Sequence, residues 1–155
     1  MTGPSGRGPT DVVLEERRPT PAELRFLFAA VHWDGELPDD DQALQAALDR
    51  SLFAVCAVAG DAVVGCARVV GDGAVYLYVQ DVIVVPALQG RGLGRRLMES
   101  VMTWLDEHCP ANAFVALFAG PHKAGFYEPF GFAVQPAAQP GMAQRWTGRG
   151  GWRSR

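Results

Sequence analysis

The segment from Ala74 to Val85 leaves this chain few ways to fold. It is rich in β-branched and aromatic residues, only Gln80 and Asp81 break its apolar run, and Pro86 stops it. Such a run reads as a long strand buried on both faces. A glycine-rich turn follows, Gln89-Gly90-Arg91-Gly92-Leu93-Gly94. Then comes a helix with Leu93, Leu97, Val101, Trp104 and Leu105 at helical spacing, closed by Cys109-Pro110. A strand, a glycine turn and an amphipathic helix in that order form the centre of the expected fold.

The flanking segments supply the rest. Residues 11–16 read as a first strand. Thr20, Pro21 and Glu23 form a capping-box signature, opening a helix with Leu24, Leu27, Phe28 and Val31 on one stripe and ending near Gly35. Residues 38–42 open a second, shorter helix through Leu44, Ala47 and Leu48. Runs 52–59 and 62–70, separated by Gly60-Asp61, read as a hairpin. A two-residue loop would pair position 56 with 65 and set Cys56 and Cys66 on opposite faces, where they could not bridge. Gly71-Asp72-Gly73 is a second turn. Phe114 to Ala119 reads as another buried strand, His122 to Phe130 as a short helix, and Phe132 onward as extended, with one further strand possible around Met142 to Trp146. The expectation is a mixed α/β fold in one domain over residues 11–146, with tails at 1–10 and 147–155.

The 155 residues suit one domain, and 48% hydrophobic against 20% charged residues give enough material for one core. A net charge of −3 disfavours a general nucleic-acid binder. No apolar stretch reaches membrane-spanning length, and residues 1–10 lack the apolar core of a signal peptide. Cys56, Cys66 and Cys109 show neither metal-ligand spacing nor the even number of a disulfide framework. A cytoplasmic setting is therefore expected, with no metal. The chain has one lysine, Lys123, beside thirteen arginines, so a single arginine is a weak functional signal.

Exposed amides at a helix N-terminus attract anions. Glycines at 90, 92 and 94 would let that backbone approach a phosphate, with Arg91 and Arg95 at the mouth. The plainer alternative is a strained turn that needs glycine only for its own geometry. The spacing is not G-x-G-x-x-G, because position 95 is arginine, and no Lys-Ser/Thr pair marks a Walker loop.

The stretch Asp81 to Gly94 resembles the GNAT superfamily of acyl-CoA-dependent N-acyltransferases, whose signature here is a strand ending V-x-P followed by Q/R-x-x-G-x-G/A. Gly125-Phe126-Tyr127-Glu128-Pro129-Phe130-Gly131-Phe132 resembles the family's F-Y-E-x-x-G-F. The resemblance implies a mixed, mostly antiparallel sheet flanked by helices, with a central pair of strands splayed apart. It implies acetyl-CoA as cosubstrate and an amine acceptor, a small molecule or a protein, in an enzyme for which a homodimer is the family-level expectation. A non-catalytic acyl-CoA-binding regulatory module is the competing reading. The backbone of Val82, Ile83 and Val84 would pair with the pantetheine arm. Gln89, Gly90, Arg91, Gly92, Leu93, Gly94 and Arg95 would wrap the pyrophosphate.

By the same resemblance Tyr127 would protonate the leaving thiolate; the alternative is a core tyrosine with a satisfied hydroxyl. Pro129 departs from the family pattern and can disturb the last turn of that helix. Asp81, a carboxylate in an apolar strand, is either a general base or a structural acceptor tying the strand to its surroundings. Strict alternation would turn Gln80 to the opposite face, towards acceptor or cofactor. Glu36, Asp39, Asp40 and Asp41 would border the acceptor cleft and attract a cationic amine; otherwise they cap a helix and line a solvated loop.

Overall fold

The computed structural model describes residues 11–145; the tails expected at 1–10 and 147–155, with Trp146, lie outside them. Five strands form one sheet in the order β1-β2-β3-β4-β5. They are β1 Val12–Glu15, β2 Phe53–Ala59, β3 Ala62–Gly71, β4 Tyr76–Val84 and β5 Phe114–Ala116. The first four pair antiparallel, and β5 joins β4 in parallel. Helices α1 (Pro21–Ala30), α2 (Asp41–Asp49) and α3 (Leu93–His108) complete a compact unit that ends at Phe118. From Ala119 a second unit carries α4 (Ala124–Tyr127) and a 3-10 turn, Glu128–Phe130.

The start of α1 is chemically explicit. The Thr20 hydroxyl accepts from the Glu23 N–H at 3.2 Å, and the Glu23 carboxylate accepts from the Thr20 N–H at 2.8 Å. Two first-turn donors are thereby satisfied. Arg17 forks onto the same carboxylate at 2.9 and 3.1 Å and holds it below the usual glutamate range. Asp40 caps α2 through the Gln42 N–H at 2.9 Å. Leu24, Leu27 and Phe28 of α1 and Leu44 and Leu48 of α2 meet Cys56, Val58, Val63, Cys66 and Ile83 in one buried cluster. On the other face α3 buries Leu93, Leu97, Met98, Val101 and Leu105. Gly65 makes that closeness possible: a Cβ there would lie 2.7 Å from the Ile83 carbonyl oxygen and 3.4 Å from Leu97. Asp72 closes the β3–β4 turn, its Oδ1 accepting from the amides of Ala74, Val75 and Tyr76.

Several expectations need correction. The hairpin loop has the expected two residues, but a β-bulge between Ala57 and Val58 gives β3 an extra residue, Val64. Cys56 therefore pairs with Cys66, not with Gly65, and the two thiols share a face as free cysteines. β4 is not buried on both faces throughout: Leu77 and Val79 are inside, whereas Tyr76 is 65% exposed. β5 is shorter than expected and not buried, with Phe114 52% exposed. Its exposed ring packs on β4 instead, Phe114 meeting Tyr76 edge-on, and just beyond the strand Phe118 meets Tyr78 at a tilt. No strand follows Phe132 among the described residues. Pro136 and Pro140 lack the N–H a ladder requires, and Gln139 turns back to donate to the Pro136 carbonyl.

The capping box gives the first test. Thr20→Ala should lower stability by about 1 kcal/mol, read by urea denaturation at neutral pH. The Glu23 share of stability is full above the unfolded glutamate pKa and is lost as pH falls through its lowered folded value.

Candidate active site

β4 has two neighbours of unequal reach. β3 accompanies it from Gly71 opposite Leu77 to Gly65 opposite Val84. β5 pairs only with Tyr76, Leu77 and Tyr78. Beyond Tyr78 the two parallel strands separate, leaving one edge of β4 without a strand partner. The Val85 N–H donates to the Val64 carbonyl on the β3 side at 2.9 Å. Strand amides alternate in direction, so Ile83 also points to β3, and Val82 and Val84 point to the open edge.

A bulge sits at the start of this open stretch. Cys66 opposes Ile83 and Arg68 opposes Gln80, so Asp81 and Val82 together face the single residue Ala67. Asp81 takes a left-handed φ of +54°, uncommon for a residue with a side chain. Its carboxylate meets Arg68 Nε at 2.6 Å, in a pair with side chains only 12% and 9% exposed. Arg68 Nη1 donates in turn to the Ser51 hydroxyl at 2.8 Å. The bulge breaks strict alternation: the Asp81 carboxylate reaches Arg68, the cross-strand partner of Gln80, so these two polar residues are not divided between opposite faces.

At its end β4 runs through Pro86 into a 3-10 turn, Pro86–Leu88, and then the glycines. The Gln89 side-chain amide donates to the Val84 carbonyl at 2.8 Å, fastening the turn to the strand. Gly90 and Gly92 have φ of +74° and +80°. Gly92 is the N-cap of α3 and offers no side-chain acceptor, so no side chain caps the first amides of this 16-residue helix. The Leu93 side chain is buried in the core, leaving only its backbone to the turn. Arg95 makes an exposed pair with Glu99 at 3.0 Å. Arg91 and Arg96 line a cleft of about 520 Å³ beside β1, and Arg96 donates to the Val12 carbonyl there.

In the second unit, Tyr127 closes α4 among aromatic rings, with centroids 4.8 Å from Phe126 and 6.3 Å from Phe132. Burial raises its phenol pKa above the ordinary value near 10. Pro129 falls in the 3-10 turn where the α-helical geometry ends. The acidic segment is largely occupied: Asp40 caps α2, and Asp41 pairs with Arg25, which also binds the carbonyls of Pro38 and Asp39. Burial disfavours the thiolate form of the two core cysteines. Burial pushes Cys56 up to about 11 and Cys66 well above its usual value. Among the described residues no group of three or more His, Cys, Asp or Glu could hold a metal, and no helix is long and apolar enough to cross a membrane.

Two residues escaped the sequence reading, Arg68 and Ser51. The signal was present in part: Arg68 is the one charged residue within the apolar run 62–70, as Asp81 is in the next strand. Two isolated opposite charges in adjacent strands invite pairing.

Known proteins share this fold. The profile of the acetyltransferase (GNAT) domain matches residues 49–134. Over 80 residues the chain is 45% identical to serotonin N-acetyltransferase 2, chloroplastic, of Oryza sativa subsp. japonica. That match takes in 52% of this chain but only 39% of the longer rice protein. A probable acetyltransferase of unknown function from meticillin-resistant Staphylococcus aureus superposes with a TM-score of 0.78 at 26% identity, covering 88% of this chain and 100% of that one. A GNAT-family acetyltransferase from Streptococcus pneumoniae gives 0.68 at 31% identity, covering 90% and 99%.

The turn can be tested without any ligand. A Cβ on Gly92 would meet nothing within 4 Å, so the requirement is for its left-handed backbone and not for space. Gly92→Ala should cost about 1 kcal/mol in chemical denaturation, and Gly92→Asn distinctly less. Equal stability of all three proteins would show that the turn does not depend on this conformation.

Proposed function

The chain belongs to the GNAT acetyltransferase superfamily, and we propose that it transfers the acetyl group of acetyl-CoA to a primary amine, on a small molecule or a protein, by direct attack in a ternary complex. One observation carries the reading: the open edge of β4 leads straight into an anion-attracting turn. Val82 and Val84 present amides where β5 has departed. A few residues later come two left-handed glycines and a helix start that no side chain caps. These groups fit a pantetheine arm running into a pyrophosphate, an extended amide chain ending in phosphates.

Acetyl-CoA supplies a thioester, an acyl group already activated towards an amine, so the step calls for no metal ion. The β4 backbone binds the amide arm, and amides from Gly90 to Arg95 hold the pyrophosphate, with Arg91 adding charge. An N–H of the Val82–Val84 segment polarises the acyl carbonyl. Tyr127 donates the proton that the sulfur takes as it leaves. Of the two roles open to Asp81, the bond to Arg68 favours ordering of β4 over proton abstraction. The amine then gives its proton to solvent, and the rate rises with pH until the free amine predominates.

Acetyl-CoA should raise the melting temperature, as a ligand of the native state does, and purified protein should consume it with at least one member of an amine panel. Binding without turnover across the panel would make the chain an acyl-CoA-sensing module. Tyr127→Phe keeps the ring and removes the donor; kcat should fall by about 10²-fold or more, with acetyl-CoA affinity nearly unchanged. The acid form of Tyr127 is the active one, and its pKa lies above the ordinary phenol value. Its loss should therefore appear only as pH rises beyond about 10. Full activity in the variant would place the donor elsewhere.

A further inference from the structure

We infer that Arg68 is a positioning residue of the acyl-transfer centre, locking the β4 bulge that aims the Val82 and Val84 amides. The inference rests on the acetyltransferase reading for its catalytic meaning and on geometry for the lock itself. Asp81 holds a left-handed backbone without being glycine, which needs a specific restraint. Three bonds supply one. The carboxylate is held by Arg68 Nε at 2.6 Å, the Asp81 carbonyl accepts from the Cys66 thiol at 3.2 Å, and Arg68 is itself anchored by Ser51 at 2.8 Å.

Ser51 is no loose anchor. It is 2% exposed and follows the end of α2, and its carbonyl accepts from Arg18 Nη2 at 2.7 Å. A chain of polar contacts thus runs from the segment before α1, through the α2–β2 junction and across β3, to the bulge. The buried guanidinium gives its hydrogen bonds to Asp81 and Ser51 and not to the open edge. It acts through Asp81, whose placement decides where the two-against-one mismatch falls and hence which amides of β4 face away from β3.

The test compares full-length wild type, Arg68→Gln and the milder Ser51→Ala, which leaves the ion pair intact. Amide hydrogen exchange by NMR reads the bulge whether or not the protein turns over. Arg68→Gln should speed exchange at the β3-facing amides of Ile83 and Val85 by about tenfold or more, with the amides of Leu97, Met98 and Val101 in α3 within about twofold. Ser51→Ala should give the same local pattern, smaller. With a saturating amine, kcat should fall about tenfold or more in Arg68→Gln, while the KM for acetyl-CoA stays within about threefold. Unchanged exchange at Ile83 and Val85, or an equal rise in the α3 amides, overturns the lock. Local loosening with wild-type kcat overturns its role in positioning. A wild type that turns over no amine sinks the acetyltransferase reading, and the exchange pattern still decides whether Arg68 holds the bulge.

Discussion

The candidate site depends on β4 having one full partner and one brief one. A strand inside a sheet normally gives its amides to both sides. Here β5 leaves after Tyr78, while β3 continues to Val84 and beyond through Val85. The result is a row of donors and acceptors next to a core but without a strand to meet them. Polar backbone in that position must find a partner. The Gln89 side chain takes one acceptor, the Val84 carbonyl, and the Val82 and Val84 amides suit an extended, amide-bearing molecule. The fold thus leaves an open edge by ending a neighbour early.

Much of this was legible in the residues. Thr20 and Glu23 announce α1 because a capping box is a local device whose partners lie three residues apart. The α3 stripe and the glycine turn were equally readable, since helical period and left-handed backbone both leave compositional marks. The bulges left none. Val64 is an ordinary strand residue, and Asp81 adopts a conformation that glycine or asparagine would have advertised. Each bulge displaced an inference that relied on alternation, first the facing of Cys56 and Cys66, then that of Gln80 and Asp81. The early end of β5 was also hidden, because apolar residues 117–119 look no different from the paired 114–116.

The scarcity of lysine acquires a structural sense. Arg17 joins Glu15 to Glu23, Arg25 ties α1 to the segment before α2, and Arg68 joins Ser51 to Asp81. Each uses two or more nitrogens at once, which a planar fork does and a single ammonium does poorly. Exposed pairs of this kind add little to stability. Their use here is in joining separate elements of the fold, and Arg68, nearly buried, does so beside the β4 bulge.

The bulge in β4 also governs how the chain can change length. A lineage that lost one residue between Gln80 and Ile83 would gain a regular ladder opposite Ala67. The pairs Gln80–Arg68 and Ile83–Cys66 on either side would keep their faces, because the bulge residue is the one outside the alternation. What would go is one of the two successive residues that face Ala67 together, and with it either the Asp81 carboxylate that binds Arg68 or the Val82 amide at the open edge. Gaps in alignments of related chains should therefore avoid the interval from Gln80 to Pro86 and collect in the turn at 71–73. Within that interval, the number of residues is as much an inherited trait as their identity.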